Sequence, residues 1–126
     1  MLQLEIFYLM EWRQYFLKFR ELRALMSYTI YATETFKALY PSLEKDEQRW
    51  IDKIKKNLEE YLTGKILKYN WFREKKYGNK RLYYLIDEEK KNILFVSFAS
   101  KKEQQKIIDF ITLNMKELLQ YLKSLN

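Results

Sequence analysis

Seven basic side chains, Lys65, Lys68, Arg73, Lys75, Lys76, Lys80 and Arg81, fall in one short stretch of this chain, against the single acid Glu74. That stretch carries +6 of a formal net charge of +7, so the basicity belongs to one region. Clustered ammonium and guanidinium groups suit a polyanionic partner. Gly78-Asn79 within the stretch predicts a two-residue hairpin loop, because glycine accepts the positive φ of a type II′ turn. Tyr77 then faces Lys80, Lys76 faces Arg81, Lys75 faces Leu82 and Glu74 faces Tyr83. Directly paired residues share a face. Glu74, Lys76, Arg81 and Tyr83 therefore stand on one side of the hairpin, and Arg73, Lys75, Leu82 and Tyr84 on the other. Two cations opposed on neighbouring strands repel unless an anion joins them, so Lys76 beside Arg81 reads as a phosphate cradle. Tyr77 and Tyr83 add π-faces on which a base could stack, worth roughly 1–3 kcal/mol per base. Arg73, Lys75, Lys80 and Lys101 join them as expected RNA-binding residues. Lys101 and Lys102 also stand at a helix start, where cations oppose the dipole and suit a nearby anion.

Plainer readings of the same residues stay open. A lysine-rich hairpin also serves as solvated surface, and cations on an edge strand suppress aggregation. Trp71, Tyr83 and Tyr84 suit a hydrophobic core as well as a stacking platform.

The chain has 126 residues, no Cys and no His. Disulfides and thiolate metal sites are excluded, as are Ser-His-Asp, Cys-His and HExxH chemistry. Any catalysis must use Lys, Arg, Tyr or carboxylates. The 48% hydrophobic and 17% aromatic content excludes a disordered chain. Charges interrupt the apolar patches of the first 25 residues, which makes neither a bilayer span nor a signal peptide. A cytoplasmic location is the expectation.

The elements that must position the cations follow from periodicity. Leu2 to Leu25 reads as a helix, in an extension (1–26) that either packs on the domain or on a partner, or precedes the true start at Met26. The remainder, 27–126, has the size of one small domain. An aromatic and β-branched run predicts a strand near 28–32. Thr33 is a plausible N-cap for a helix over 33–40, which Pro41 ends. Ser42 is expected to cap a second helix over 43–62, whose buried stripe is Trp50, Ile51, Ile54, Leu58, Tyr61 and Leu62. Strands follow near 71–76, 80–86 and 92–98. A long C-terminal helix carries Ile107, Ile111, Met115, Leu118, Leu122 and Leu125 along one seam, usable against the domain or another chain.

This order of elements resembles the RelE/ParE toxin superfamily over about residues 27–110. The nearest local likeness is in Lys80-Arg81-Leu82-Tyr83-Tyr84-Leu85-Ile86-Asp87, which looks like the family's arginine-bearing strand. Ile93-Leu94-Phe95-Val96-Ser97-Phe98-Ala99-Ser100-Lys101-Lys102 is similar to its next hydrophobic strand, which ends in a basic pair. The resemblance implies an α+β, RelE-like fold with a small antiparallel sheet packed on two helices. It also implies a ribosome-dependent mRNA endonuclease, the toxin of a type II toxin-antitoxin pair. The implied partners are a cognate antitoxin and mRNA on the ribosome, with no cofactor, metal or membrane.

By the resemblance Arg81 matches the family's strand arginine and would clamp the transition state. Lys76 matches one strand lysine and would act as general base on the 2′-hydroxyl, since clustered cations lower a lysine's pKa. Lys102 would be a second phosphate contact or the acid. The other strand-lysine position is occupied by Glu74, and the family's C-terminal tyrosine matches Ile108. Two further readings stand beside this one. The chain could be a ParE-like or degenerate toxin-fold protein that binds a protein target, or a basic RNA-binding module.

Overall fold

The computed structural model describes residues 27–125, so the helix expected over Leu2 to Leu25 lies outside the described residues. A strand β1 (Thr29–Ala32) leads into helix α1 (Glu34–Leu39), a 3-10 turn (Tyr40–Ser42) and helix α2 (Lys45–Glu60). Strands β2 (Lys65–Leu67), β3 (Tyr69–Tyr77), β4 (Lys80–Asp87) and β5 (Asn92–Ser100) follow. A second 3-10 turn (Lys101–Glu103) and helices α3 (Gln104–Leu113) and α4 (Met115–Ser124) end the described chain. The sheet runs β1-β5-β4-β3-β2, with β1 parallel to β5 and the other neighbours antiparallel.

Local chemistry sets the boundaries. Thr33 Oγ1 accepts from the Phe36 amide at 3.1 Å, so it caps α1 as expected. Pro41 sits in the first turn of the 3-10 segment, where its missing N–H costs nothing. The cap of α2 is Glu44, not Ser42. Glu44 and Glu47 form a reciprocal capping box, while the Ser42 hydroxyl donates to the Leu39 carbonyl. Helix α2 stops at Glu60, two residues short of the expected end, and Tyr61 is already extended and exposed.

Helices cover both faces of the sheet. Phe36 of α1 and Ile51, Ile54 and Leu58 of α2 pack with Leu82, Tyr84, Ile86, Ile93, Phe95 and Phe98. On the other face Ile111 of α3 and Leu122 of α4 pack with Leu67, Phe72, Tyr83, Leu85, Leu94 and Val96. Burial on both faces explains why β4 is buried without a break from Arg81 to Ile86. Each such fully buried Leu, Ile or Phe contributes about 1.5–3 kcal/mol over its exposed state.

Two features depart from the expectations. The C-terminal helix is not continuous: it breaks at Asn114, whose side-chain amide donates to the Phe110 carbonyl at 2.9 Å. Its seam packs against the domain, one of the two uses expected of it: Ile111 and Leu122 are buried against the sheet, and Ile107, Leu118 and Leu125 pack beside them. A fifth strand, β2, occupies Lys65–Leu67; Gly64 (φ 117°) leads into it, and left-handed Lys68 (φ 47°) links it to β3.

Candidate nucleic-acid interface

The hairpin register is the one read from the sequence. Tyr77 pairs with Lys80, Lys76 with Arg81, Lys75 with Leu82 and Glu74 with Tyr83. Gly78 has φ +60°, and Asn79 stays outside the positive-φ region, as a type II′ turn requires. Lys76 and Arg81 accordingly share a face with Glu74 and Tyr83.

On that face lies a cavity of about 360 Å³, lined by Lys65, Glu74, Lys76, Arg81, Lys101 and Gln104. Four cations thus meet one carboxylate. Three different stretches bring them together. Strand β2 places Lys65 directly opposite Glu74. The hairpin supplies Lys76 and Arg81, and the start of the C-terminal helices supplies Lys101 and Gln104. The Lys101 amide donates to the Asn79 carbonyl at 2.9 Å, which ties the helix start to the hairpin loop.

Arg81 is buried to 7% exposure, with Nη1 donating to the Gly78 and Lys80 carbonyls at 3.1 and 3.0 Å. Glu74 is equally buried and accepts at Oε2 from the Gln104 amide at 2.6 Å. Among the described residues no carboxylate lies within 4.0 Å of Lys65, Lys76, Arg81 or Lys101. Charges this concentrated and unpaired raise the local potential for an anion.

The other expected site residues lie elsewhere. Tyr77 and Lys80 face α2, where the Tyr77 hydroxyl donates to Asp46 at 2.8 Å and Lys80 pairs with Glu47 at 2.5 Å. That hydrogen bond holds the Asp46 carboxyl below the ordinary carboxylate range and raises the Tyr77 phenol. Tyr77 also packs against Trp50, with ring centroids 5.0 Å apart and the planes tilted by 34°. Lys75, paired with Leu82, and Arg73, paired with Tyr84, stand on the same α2 side. Arg73 reaches Glu88 at 4.0 Å. Lys102 is exposed in the 3-10 turn and does not line the cavity. Lys65 and Gln104 do line it, and neither was singled out for the site.

Tyr83 is fully buried beneath the cavity, its ring against Phe72, so a base cannot stack on it. Among the described residues its hydroxyl makes no hydrogen bond. Burial first and the Glu74 carboxylate second push its phenol up to about 12, against smaller opposing effects of Arg81 and Gln104. Tyr84 is raised too, chiefly by burial. A phenol whose folded pKa is raised stabilises the fold fully below the unfolded value of about 10. That contribution is lost as pH climbs through the folded value. Denaturant melts should therefore show stability falling between pH 10 and 12, and Tyr83→Phe should make that fall shallower. An unchanged alkaline limb in the variant would contradict this.

A larger cavity, about 630 Å³, lies beside β1 and is lined mainly by apolar side chains such as Ile30, Phe36, Ile51 and Phe95. Its two lysines, Lys37 and Lys55, are only partly offset by Asp52, which leaves one net positive charge. That is less than the net +3 of the sheet-face cavity, where four cations meet Glu74.

No family model and no curated protein matches this chain. Among solved structures it is similar to a double arginine-to-alanine variant of the E. coli toxin RelE in the free state, with a TM-score of 0.55. The two are 16% identical, and the likeness covers 64% of this chain and 90% of that one. Identity that low speaks for architecture alone. Among the described residues no group of His, Cys, Asp and Glu could hold a metal ion, and no helix is long and apolar enough to cross a membrane. The described chain thus carries the α+β fold of the toxin RelE.

Proposed function

We propose that this chain is a RelE-like toxin that binds mRNA on the ribosome and cleaves it, and that a cognate antitoxin restrains it. The observation that carries this reading is the cavity on the sheet face, where, among the described residues, Lys65, Lys76, Arg81 and Lys101 stand without a carboxylate within 4.0 Å. A cleavage site on RNA needs three things: a group to take the 2′-hydroxyl proton, charge to hold the phosphorane, and a donor for the leaving 5′-oxygen. Exposed Lys76 can reach the proton. Buried Arg81 presents a planar fork, always charged, for two phosphate oxygens. Lys101 and Lys65 flank them and can follow the backbone on either side. Lys101 takes the place that the resemblance gives to Lys102.

Glu74 supports a second reading. A buried carboxylate in a phosphate-binding cavity weakens it, which suits a toxin-fold protein that binds a protein target and cleaves nothing.

Induced expression separates the readings. The nuclease reading expects growth arrest with mRNA cut within translated codons. Arrest with intact mRNA would favour the protein-target reading. No arrest, together with salt-sensitive RNA binding, would leave a basic RNA-binding module.

A further inference from the structure

Glu74 and Arg81 occupy diagonal positions on one face of the β3–β4 hairpin, since Glu74 pairs with Tyr83 and Lys76 with Arg81. Diagonal neighbours lie about 7–8 Å apart, well within the reach of an arginine. Both side chains are more than nine-tenths buried, and both line the same cavity. Opposite charges this close, shielded from water, attract strongly. They nevertheless form no ion pair within 4.0 Å. Each is instead bonded to a neutral group. The guanidinium donates to the Gly78 and Lys80 carbonyls, and the carboxylate accepts from Gln104.

We infer that Gln104 is a positioning residue that holds Glu74 away from Arg81, so that the guanidinium keeps its charge for a phosphate of single-stranded RNA. This inference rests on the proposed RNA site and adds its control. Gln104 suits the task because it is anchored at the first turn of α3, and the Lys101 amide fixes that turn to the hairpin loop. Its amide donates to the carboxylate without contributing charge. Without that bond the nearest strong donors for Glu74 are Arg81, Lys76 and Lys65. Any of these pairs would remove one cation from the cavity.

The test is a fluorescence-anisotropy titration of the full chain with a short single-stranded RNA at several salt concentrations. Gln104→Met keeps the side chain's length and removes the amide. It should bind at least about tenfold more weakly, the equivalent of one charge-assisted hydrogen bond. The slope of log K against log salt should become shallower by about 0.7, the share of one phosphate contact. Adding Glu74→Gln should restore both, because the amide carries no charge with which to neutralise Arg81. Glu74→Gln alone should bind at least as tightly as the parent chain. A role confined to stapling α3 would not give this rescue.

Parental affinity and slope in Gln104→Met would overturn the inference. So would a double variant that stays weak while Glu74→Gln alone binds well. If Gln104→Met melts too low to titrate, Gln104→Glu serves instead. Its second carboxylate should weaken binding more than Met does, and equal or tighter binding would overturn the inference. Failure of the RNA-site reading looks different, because Arg81→Ala would then bind RNA as the parent does.

Discussion

Replacing Arg81 with alanine should abolish growth arrest on induced expression and weaken the binding of single-stranded RNA by about 10–100-fold. Arg81 is the buried cation of the cavity, and its position is set by the Gly78 and Lys80 carbonyls. A guanidinium fixed in advance holds phosphate oxygens at little entropic cost and stabilises the charge that grows in a phosphorane. Loss of its bonds to the loop carbonyls should shift the melting temperature by a few degrees, much less than the loss of function. Arg81→Lys keeps the charge and gives up the fork, so it should recover part of the RNA affinity and little of the arrest. Lys76→Ala should also end the arrest, with no change in the melt, because Lys76 is exposed. Full arrest in either alanine variant would show that the site is elsewhere.

Gly64→Ala should lower stability by about 3 kcal/mol, through backbone strain and overpacking together. For a domain of this size that is a fall of roughly 10–20 °C in melting temperature. Gly64 has φ +117°, which side chains rarely adopt, and an added Cβ would meet the Tyr84 hydroxyl at 1.9 Å and the Glu74 carbonyl at 3.2 Å. Tyr84 cannot move aside easily. Its ring is fully buried, and its hydroxyl donates to the Thr63 carbonyl. The consequence reaches the site, because Gly64 leads directly into β2 and Lys65 pairs with Glu74. At temperatures where Gly64→Ala is still folded, its RNA affinity should fall as Lys65 loses its place. A melt within two or three degrees of the parent would refute the close-packed role given to Gly64.

Much of the architecture is visible in the residues because local and long-range signals agree. Gly78-Asn79 fixes the loop, the loop fixes the register, and the register puts Lys76 beside Arg81. The α2 stripe of Ile51, Ile54 and Leu58 likewise reads directly as a buried face. The misses have physical causes. Strand β2 is three residues long, lies within the basic stretch, and turns through a left-handed lysine, so neither length nor turn chemistry announces it.

Lys101 and Lys102 show how one residue can reassign a site. Tyr83 pairs with Ser97 but Tyr84 pairs with Phe95, so Val96 forms a bulge in β5. In a regular strand the alternation would carry Lys102 to the face of Arg81. The bulge reverses the alternation and pairs Ala99 with Arg81, so β5 hands over to the 3-10 turn in the register from which Lys101, not Lys102, lines the cavity. The run Ile93 to Phe98 hides this, because it is apolar at nearly every position. Tyr77 and Lys80 lie away from the cavity for a different reason. They form the pair nearest the loop, and the acids that engage them, Asp46 and Glu47, are distant in sequence.

The most direct measurement is the salt dependence of RNA binding by the parent chain and by Arg81→Ala. If the four cavity cations each meet a phosphate, log K for single-stranded RNA should fall against log salt with a slope of about −3, and Arg81→Ala should make that slope shallower by about 0.7. A parent slope near zero, or one that Arg81→Ala leaves unaltered, would contradict a cavity built to hold a phosphate backbone.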